Sequence, residues 1–183
     1  MILPLFRVSD VPACLPYYMN TYAMQTVHGR AAAISTGCKV ANPKITVWQI
    51  SGDGDGLAIG GNHFIHAVRR NIDLNMILLN NRIYGLTKGQ YSPTSPRGFV
   101  SKSSPYGTVE DPFHPAELCF GARGRFFARA VATDGPGTVE ILKAAANHKG
   151  AAVCEILQTA SFLMMEHTNQ YIRKKVVQRM PFI

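Results

Sequence analysis

Short apolar runs alternate along this chain with stretches of helical composition. Ile45 to Ile50, Leu74 to Leu79, Phe126 to Val131 and Ala151 to Leu157 read as strands. His28 to Ala41, Leu57 to Arg70, Ala116 to Ala122 and Thr138 to His148 read as helices, the second ending in two arginines that suit a helix C-terminus. Strands alternating with helices predict an α/β fold, a doubly wound and mostly parallel sheet.

Two strand ends carry the polar residues. The first strand runs into Gly52-Asp53-Gly54-Asp55-Gly56, and the second into Asn80-Asn81. That is the arrangement of an α/β binding crevice. From Asn80 to Pro115 there is little periodicity and much Gly, Ser, Thr and Pro, including Ser92-Pro93-Thr94-Ser95-Pro96. A loop of that length in a compact domain is usually functional or disordered. From Gln158 onward the pattern assigns no element.

At 183 residues the chain fits one domain with its own core. Hydrophobic types make up 46% and charged types 16%, which excludes a disordered chain. The net charge of +8 suits anionic ligands, although part of it sits in a tail carrying Arg173, Lys174, Lys175 and Arg179. No nucleic-acid recognition motif or aromatic-basic interleaving accompanies that charge. The four cysteines, Cys14, Cys38, Cys119 and Cys154, stand at neither C-x-x-C nor zinc spacing and read as buried thiols of a reducing compartment. Met1 to Phe6 is too short for a signal sequence, and no apolar run reaches the roughly 18 residues of a membrane span. The expectation is a soluble cytoplasmic protein without a membrane or nucleic-acid partner.

A glycine-rich turn between strand and helix brings backbone N–H groups close to a phosphate. Carboxylates in that turn repel a bare phosphate, so Asp53 makes chemical sense as the ligand of a bridging divalent cation, and Mg²⁺ takes hard oxygen ligands. The dinucleotide fingerprint fails because Leu57 and Ile59 occupy the positions it reserves for glycine. A Walker loop lacks its Gly-Lys-Ser/Thr, and an EF-hand would need an oxygen ligand at Leu57. What remains is Gly-Asp-Gly followed, 28 positions later (53 to 81), by Asn81 across one βαβ unit.

Gly-Asp-Gly with an asparagine at that distance resembles the thiamin diphosphate motif. The longer text, Gly52 to His63, then Asn80-Asn81-Arg82-Ile83-Tyr84-Gly85-Leu86-Thr87-Lys88-Gly89-Gln90-Tyr91-Ser92-Pro93-Thr94, is similar to the β subunit of 2-oxoacid:ferredoxin oxidoreductases, above all those acting on 2-oxoglutarate. Leu15-Pro16-Tyr17-Tyr18-Met19-Asn20 and His28-Gly29-Arg30 join the match, which covers roughly residues 15 to 158.

The resemblance implies a thiamin diphosphate-binding domain of the diphosphate type over 15–158, between a divergent segment 1–14 and a basic tail 159–183. It implies that Asp53, the Asn81 side chain and the Ile83 carbonyl ligate Mg²⁺. Backbone at Gly52, Gly54 and Asp55 would meet the diphosphate, though a turn acid would serve as well at Asp55. Gly85, Leu86 and Thr87 lie where the cofactor is supported, with Leu86 beneath its bend. Lys88 would hold a 2-oxo acid carboxylate, and His28 would reach the thiazolium side, unless it serves as a helix-start cap. His63 and His66 read as packing or partner contacts. The implied reaction is oxidative decarboxylation of a 2-oxo acid to an acyl-CoA, with electrons leaving to ferredoxin. An α subunit would supply the pyrimidine-binding domain and its glutamate.

The chain also departs from that family. Relatives hold a four-iron four-sulfur cluster on four cysteines; Val11 or a neighbour stands at the third position and Ala160 at the fourth, and the chain starts too late for the first two. Without thiolate ligands no cluster is expected. Cys14 falls where the family carries a basic residue near the substrate carboxylate. The chain therefore reads as an N-terminally shortened relative, with a truncated or degenerate non-catalytic copy that keeps the fold and the subunit contact as the alternative.

Overall fold

The computed structural model describes residues 5–9 and 18–158. Six parallel strands form the main sheet: β1 (Leu5–Ser9), β2 (Tyr22–Gln25), β3 (Thr46–Gly52), β4 (Asn75–Asn80), β7 (Phe126–Val131) and β8 (Ala152–Leu157), in the order β2-β1-β3-β4-β8-β7. Two short strands, β5 (Ile83–Tyr84) and β6 (Gln90–Tyr91), pair as an antiparallel hairpin inside the long loop. The helices are α1 (Ala31–Ala41), α2 (Gly61–Arg69), α3 (Pro115–Gly121) and α4 (Gly135–Asn147). The α/β expectation holds. β1 lies within the segment 1–14 that the sequence sets apart, and it pairs with both β2 and β3.

Period-two alternation explains how one sheet serves two cores. Val47 of β3, Met76 and Leu78 of β4 and Val153 of β8 pack with Leu57, with Ala31 and Ala32 of α1, with Phe64, Ala67 and Val68 of α2 and with Cys119 of α3. Their neighbours point the other way. Ile50, Ile77 and Ile156 form a cluster with Trp48, Leu79 and Leu142. Ile141 and Ala145 of α4 pack on Ala152 and Cys154, with Phe126 and Ala128 of β7 alongside. Helices on both faces make the sheet doubly wound.

Three helix starts lie three residues from the expected ones, α4 among them: it begins at Gly135 rather than Thr138, with the Asp134 side chain accepting from the Gly137 amide. The stretch predicted from His28 begins at Ala31, because Gly29 adopts φ 75° and the Arg30 amide closes a turn on the Val27 carbonyl. The stretch predicted from Leu57 starts earlier, as a single π-helical turn over Gly54–Ile59, before α2 begins at Gly61. Its wider turn is closed by the Gly60 amide on the Asp55 carbonyl at 2.9 Å. Such π insertions recur at functional sites. Tyr17, Cys14, Val11, Ala160 and the basic tail with Arg173 lie outside the described residues.

Leu74 enters β4 with 1% of its surface exposed, in the cluster beneath α1 and α2. Leu74→Ala is expected to lower stability by about 2–5 kcal/mol, the usual result of emptying an apolar site of that size. Urea unfolding followed by circular dichroism checks this, and a loss under 1 kcal/mol would mean that the core collapses around the gap.

Candidate functional site at the carboxyl edge of the sheet

Parallel pairing brings the strand ends together. Gly52 of β3 lies beside Leu79 of β4, and Asn80 beside Leu157 of β8, so Asp53 and the Asn80-Asn81 pair emerge on the same edge. Asp53 starts the π turn and is 2% exposed. Its Oδ2 accepts from Ser92 Oγ at 2.5 Å and from Thr94 Oγ1 at 2.5 Å. Burial raises the pKa of this carboxyl, and the two hydroxyls, with backbone amides at Asp53 and Gly54, oppose that rise. No Lys, Arg or His ion pair reaches it among the described residues.

The adjacent loop is tied to the same centre. Asn81 Oδ1 accepts from the Ile83 amide at 3.1 Å, an Asx turn that leaves a second lone pair on the oxygen. Tyr84 donates its hydroxyl to the Gly54 carbonyl at 2.8 Å and stacks so closely that a Cβ at Gly54 would run into its ring. Burial raises the Tyr84 pKa, and the charges of Asp53 and Asp55 add to the rise. Gly85, Leu86, Thr87 and Lys88 form the exposed tip between β5 and β6. Gly89 N closes that tip on the Tyr84 carbonyl at 3.0 Å, and Lys88 takes φ 67° within it. The hairpin therefore stands on the π turn through Tyr84.

Asp55 turns the other way. Its Oδ1 accepts from the Gly29 amide at 2.6 Å and lies 2.7 Å from His28 Nδ1. His28 precedes α1 and caps nothing; with Nδ1 donating to Asp55, Nε2 is the nitrogen it offers a ligand. Only the backbone of Asp55 is left for a phosphate. His63 and His66 belong to α2 and are half-buried.

Four participants went unmarked in the sequence: Ser92, Thr94, Asn80 and Glu155. Asn80 donates to Glu155 Oε1 at 2.7 Å, and Arg129 Nε lies 2.6 Å from Glu155 Oε2. The available signal was an acid in the apolar strand Ala-Val-Cys-Glu-Ile-Leu, because a carboxylate inside a buried strand demands a partner. Ser92 and Thr94 read as loop composition, and nothing local distinguishes a buried hydroxyl from a solvated one.

Oxygen donors of this kind fit a hard divalent cation: one buried carboxylate without a basic partner among the described residues, and the amide oxygen of Asn81. Among the described residues no three His, Cys, Asp or Glu side chains group as a metal site, so a cation here would rest on that mixed set. Cys119 and Cys154 sit in separate cores, and burial pushes both thiols up to about 12.

A glycine turn with a buried aspartate, facing an asparagine loop on the carboxyl edge of a parallel sheet, defines a phosphate-cofactor domain of the doubly wound class. The chain belongs to the thiamine pyrophosphate enzyme family, whose C-terminal TPP binding domain matches residues 9–156. It is 56% identical over 143 residues to the 2-oxoglutarate oxidoreductase subunit KorB of Mycobacterium tuberculosis, covering 78% of this chain and 38% of that one. It is 46% identical over 143 residues to a 2-oxoacid:ferredoxin oxidoreductase β subunit of Aeropyrum pernix, covering 78% and 45%. A solved 2-oxoglutarate:ferredoxin oxidoreductase from Magnetococcus marinus, with 2-oxoglutarate, coenzyme A and succinyl-CoA bound, superposes with a TM-score of 0.85 at 36% identity, covering 90% of this chain and 57% of that one. A thiamine diphosphate-dependent decarboxylase from Rhodococcus jostii shares the fold, with a TM-score of 0.60 at 15% identity, covering 87% of this chain and 30% of that one. These relatives bear out the resemblance to 2-oxoacid:ferredoxin oxidoreductase β subunits. The chain spans about half or less of the length of the curated relatives it matches. No helix among the described residues is long and apolar enough to cross a membrane.

Because burial raises the Asp53 pKa, its folded-state value lies above 3.8, and the charged form opposes folding once the pH exceeds the unfolded value. Asp53→Asn is therefore expected to stabilise the cofactor-free protein at pH 7, with the gain shrinking as the pH falls through the folded-state value. Thermal melts from pH 7 to 4 check the sign; a variant less stable than wild type at pH 7 contradicts it.

Proposed function

We propose that this chain holds the diphosphate end of thiamin diphosphate through Mg²⁺, as the β component of a 2-oxoacid:ferredoxin oxidoreductase. The observation that carries the reading is the buried Asp53, without a basic partner among the described residues, at the mouth of the π turn and beside the Asn80-Asn81 loop. Asp53, the Asn81 side-chain oxygen and the Ile83 carbonyl would supply hard oxygens to the cation. Backbone at Gly52, Gly54 and Asp55 would meet the diphosphate oxygens. The exposed tip Gly85-Leu86-Thr87 would support the cofactor from the opposite side.

Thiamin diphosphate supplies the carbon nucleophile that attacks the 2-oxo carbonyl. The residues of this chain bind and orient. Lys88 would extend a cation from the hairpin tip toward a substrate carboxylate, and 2-oxoglutarate is bound in the solved Magnetococcus marinus relative. His28, its ring held by Asp55, presents Nε2 to the thiazolium side. An α subunit supplies the pyrimidine-binding domain with its glutamate, and CoA and ferredoxin are met through the complex in the cytoplasm; membranes and nucleic acid have no part. Asp53→Ala is expected to abolish Mg²⁺-dependent thiamin diphosphate binding and Asn81→Ala to weaken it strongly. Calorimetry with and without EDTA, in the presence of the pyrimidine-domain subunit, decides the matter: equal affinity for wild type and Asp53→Ala sinks the metal assignment.

One observation favours a second reading, a non-catalytic relative: Val11 and Ala160 stand at two positions where cluster cysteines are expected. Lacking a cluster, the complex should decarboxylate 2-oxoglutarate slowly without reducing ferredoxin, with slower turnover still in Lys88→Ala. Stoichiometric iron and sulfide in the purified chain, or decarboxylation indifferent to Lys88, would count against these assignments. Complete absence of decarboxylation with cofactor bound would leave the non-catalytic reading standing.

A further inference from the structure

Glu155 is 1% exposed in the middle of β8, and the catalytic reading makes no use of it. An ionised carboxylate can only accept hydrogen bonds, so its two partners are forced to donate. Arg129 does so to Oε2 and Asn80 to Oε1. The Asn80 carboxamide is thereby fixed with its NH₂ toward Glu155 and its oxygen toward the site. There Oδ1 accepts from the Arg82 amide at 3.1 Å and lies 2.9 Å from Thr94 Oγ1.

Thr94 has one hydroxyl proton and two close acceptors, Asp53 Oδ2 and Asn80 Oδ1, with Ser92 Oγ more distant at 3.3 Å. Asp53 Oδ2 is crowded in turn, since Ser92 donates to the same oxygen. We propose that Glu155, gripped by Arg129, is a positioning residue for the cation site: by orienting Asn80 it keeps a second acceptor beside Thr94, so that Asp53 can release one hydroxyl and offer that lone pair to a cation. Without the second acceptor the Thr94 proton would be left with only the long contact to Ser92 Oγ at 3.3 Å when the cation arrived, so a good buried hydrogen bond would be exchanged for a poor one. This inference rests on the Mg²⁺ reading of Asp53 and adds to it a residue two strands away.

Glu155→Gln tests it with little change of volume. Glutamine has one acceptor end, and the charged Arg129 claims it, leaving an NH₂ facing Asn80. Asn80 then turns over, giving up the Arg82 amide bond to keep an acceptor toward residue 155, and points its own NH₂ at Thr94, which directs the Thr94 proton onto Asp53. In ¹⁵N-edited NOE spectra of the metal-free, full-length chain, the Asn80 carboxamide protons should gain contact with the Thr94 methyl group. With thiamin diphosphate and the pyrimidine-domain subunit present, the Mg²⁺ midpoint should rise three- to tenfold, an order set by one lost hydrogen bond. Asn80→Ala should weaken Mg²⁺ binding comparably, and the double variant should be no weaker than Asn80→Ala alone. Additive losses, or an Asn80 amide unmoved in Glu155→Gln, overturn the positioning role. Wild-type protein with no Mg²⁺-dependent binding would overturn the thiamin reading instead, and the NOE pattern would still report separately on the orientation of Asn80.

Discussion

The carboxyl edge of this sheet is organised around one buried charge. Asp53 leaves water at the end of β3 with no basic side chain among the described residues to meet it, and such burial is unfavourable unless hydrogen bonds or a cation compensate. Two hydroxyls from a loop some forty residues later supply part of that compensation. This explains why the long segment after β4 is built rather than loose. Ser95 Oγ donates to the Arg82 carbonyl at 2.6 Å, and the Ser92 amide donates to Ser95 Oγ at 2.8 Å, so the hydroxyls that face Asp53 are themselves anchored.

The glycines serve the same geometry. Gly54 permits the Tyr84 ring to lie against the π turn, and the Tyr84 hydroxyl fastens the β5–β6 hairpin there. One contact thus couples the turn suited to diphosphate with the exposed tip carrying Leu86 and Lys88. On the other side, Asp55 ties the turn to His28 and to the left-handed Gly29. Two separate loops thus converge on six residues of π helix.

Charges elsewhere show the contrast. Arg97 and Asp111 meet at 3.2 Å with side chains 64% and 78% exposed, a solvated pair of little energetic weight. Glu155 and Arg129 meet at 2.6 Å with exposures of 28% for the arginine and 1% for the glutamate, so removing the arginine leaves a buried carboxylate uncompensated. The buried pair also imposes direction, since an acceptor-only group decides which way its amide neighbour points.

Alternation of apolar runs with helical stretches was sufficient to establish the α/β class, because a parallel sheet needs crossover helices and covered faces. Gly-Asp-Gly and the asparagine 28 positions on (53 to 81) revealed the site in the sequence, since one βαβ unit returns the chain to the same sheet edge. The start of α1 at Ala31 and the π turn before α2 were not legible, because each depends on a close approach between loops distant in sequence. Tertiary structure alone decided that Ser92 and Thr94 face Asp53, that Asp55 turns to His28 and that Glu155 reaches Asn80. Periodicity records which face of an element is buried; hydrogen-bond partners are chosen by strand order and loop closure, which bring residues as far apart as Asn80 and Glu155 within 2.7 Å.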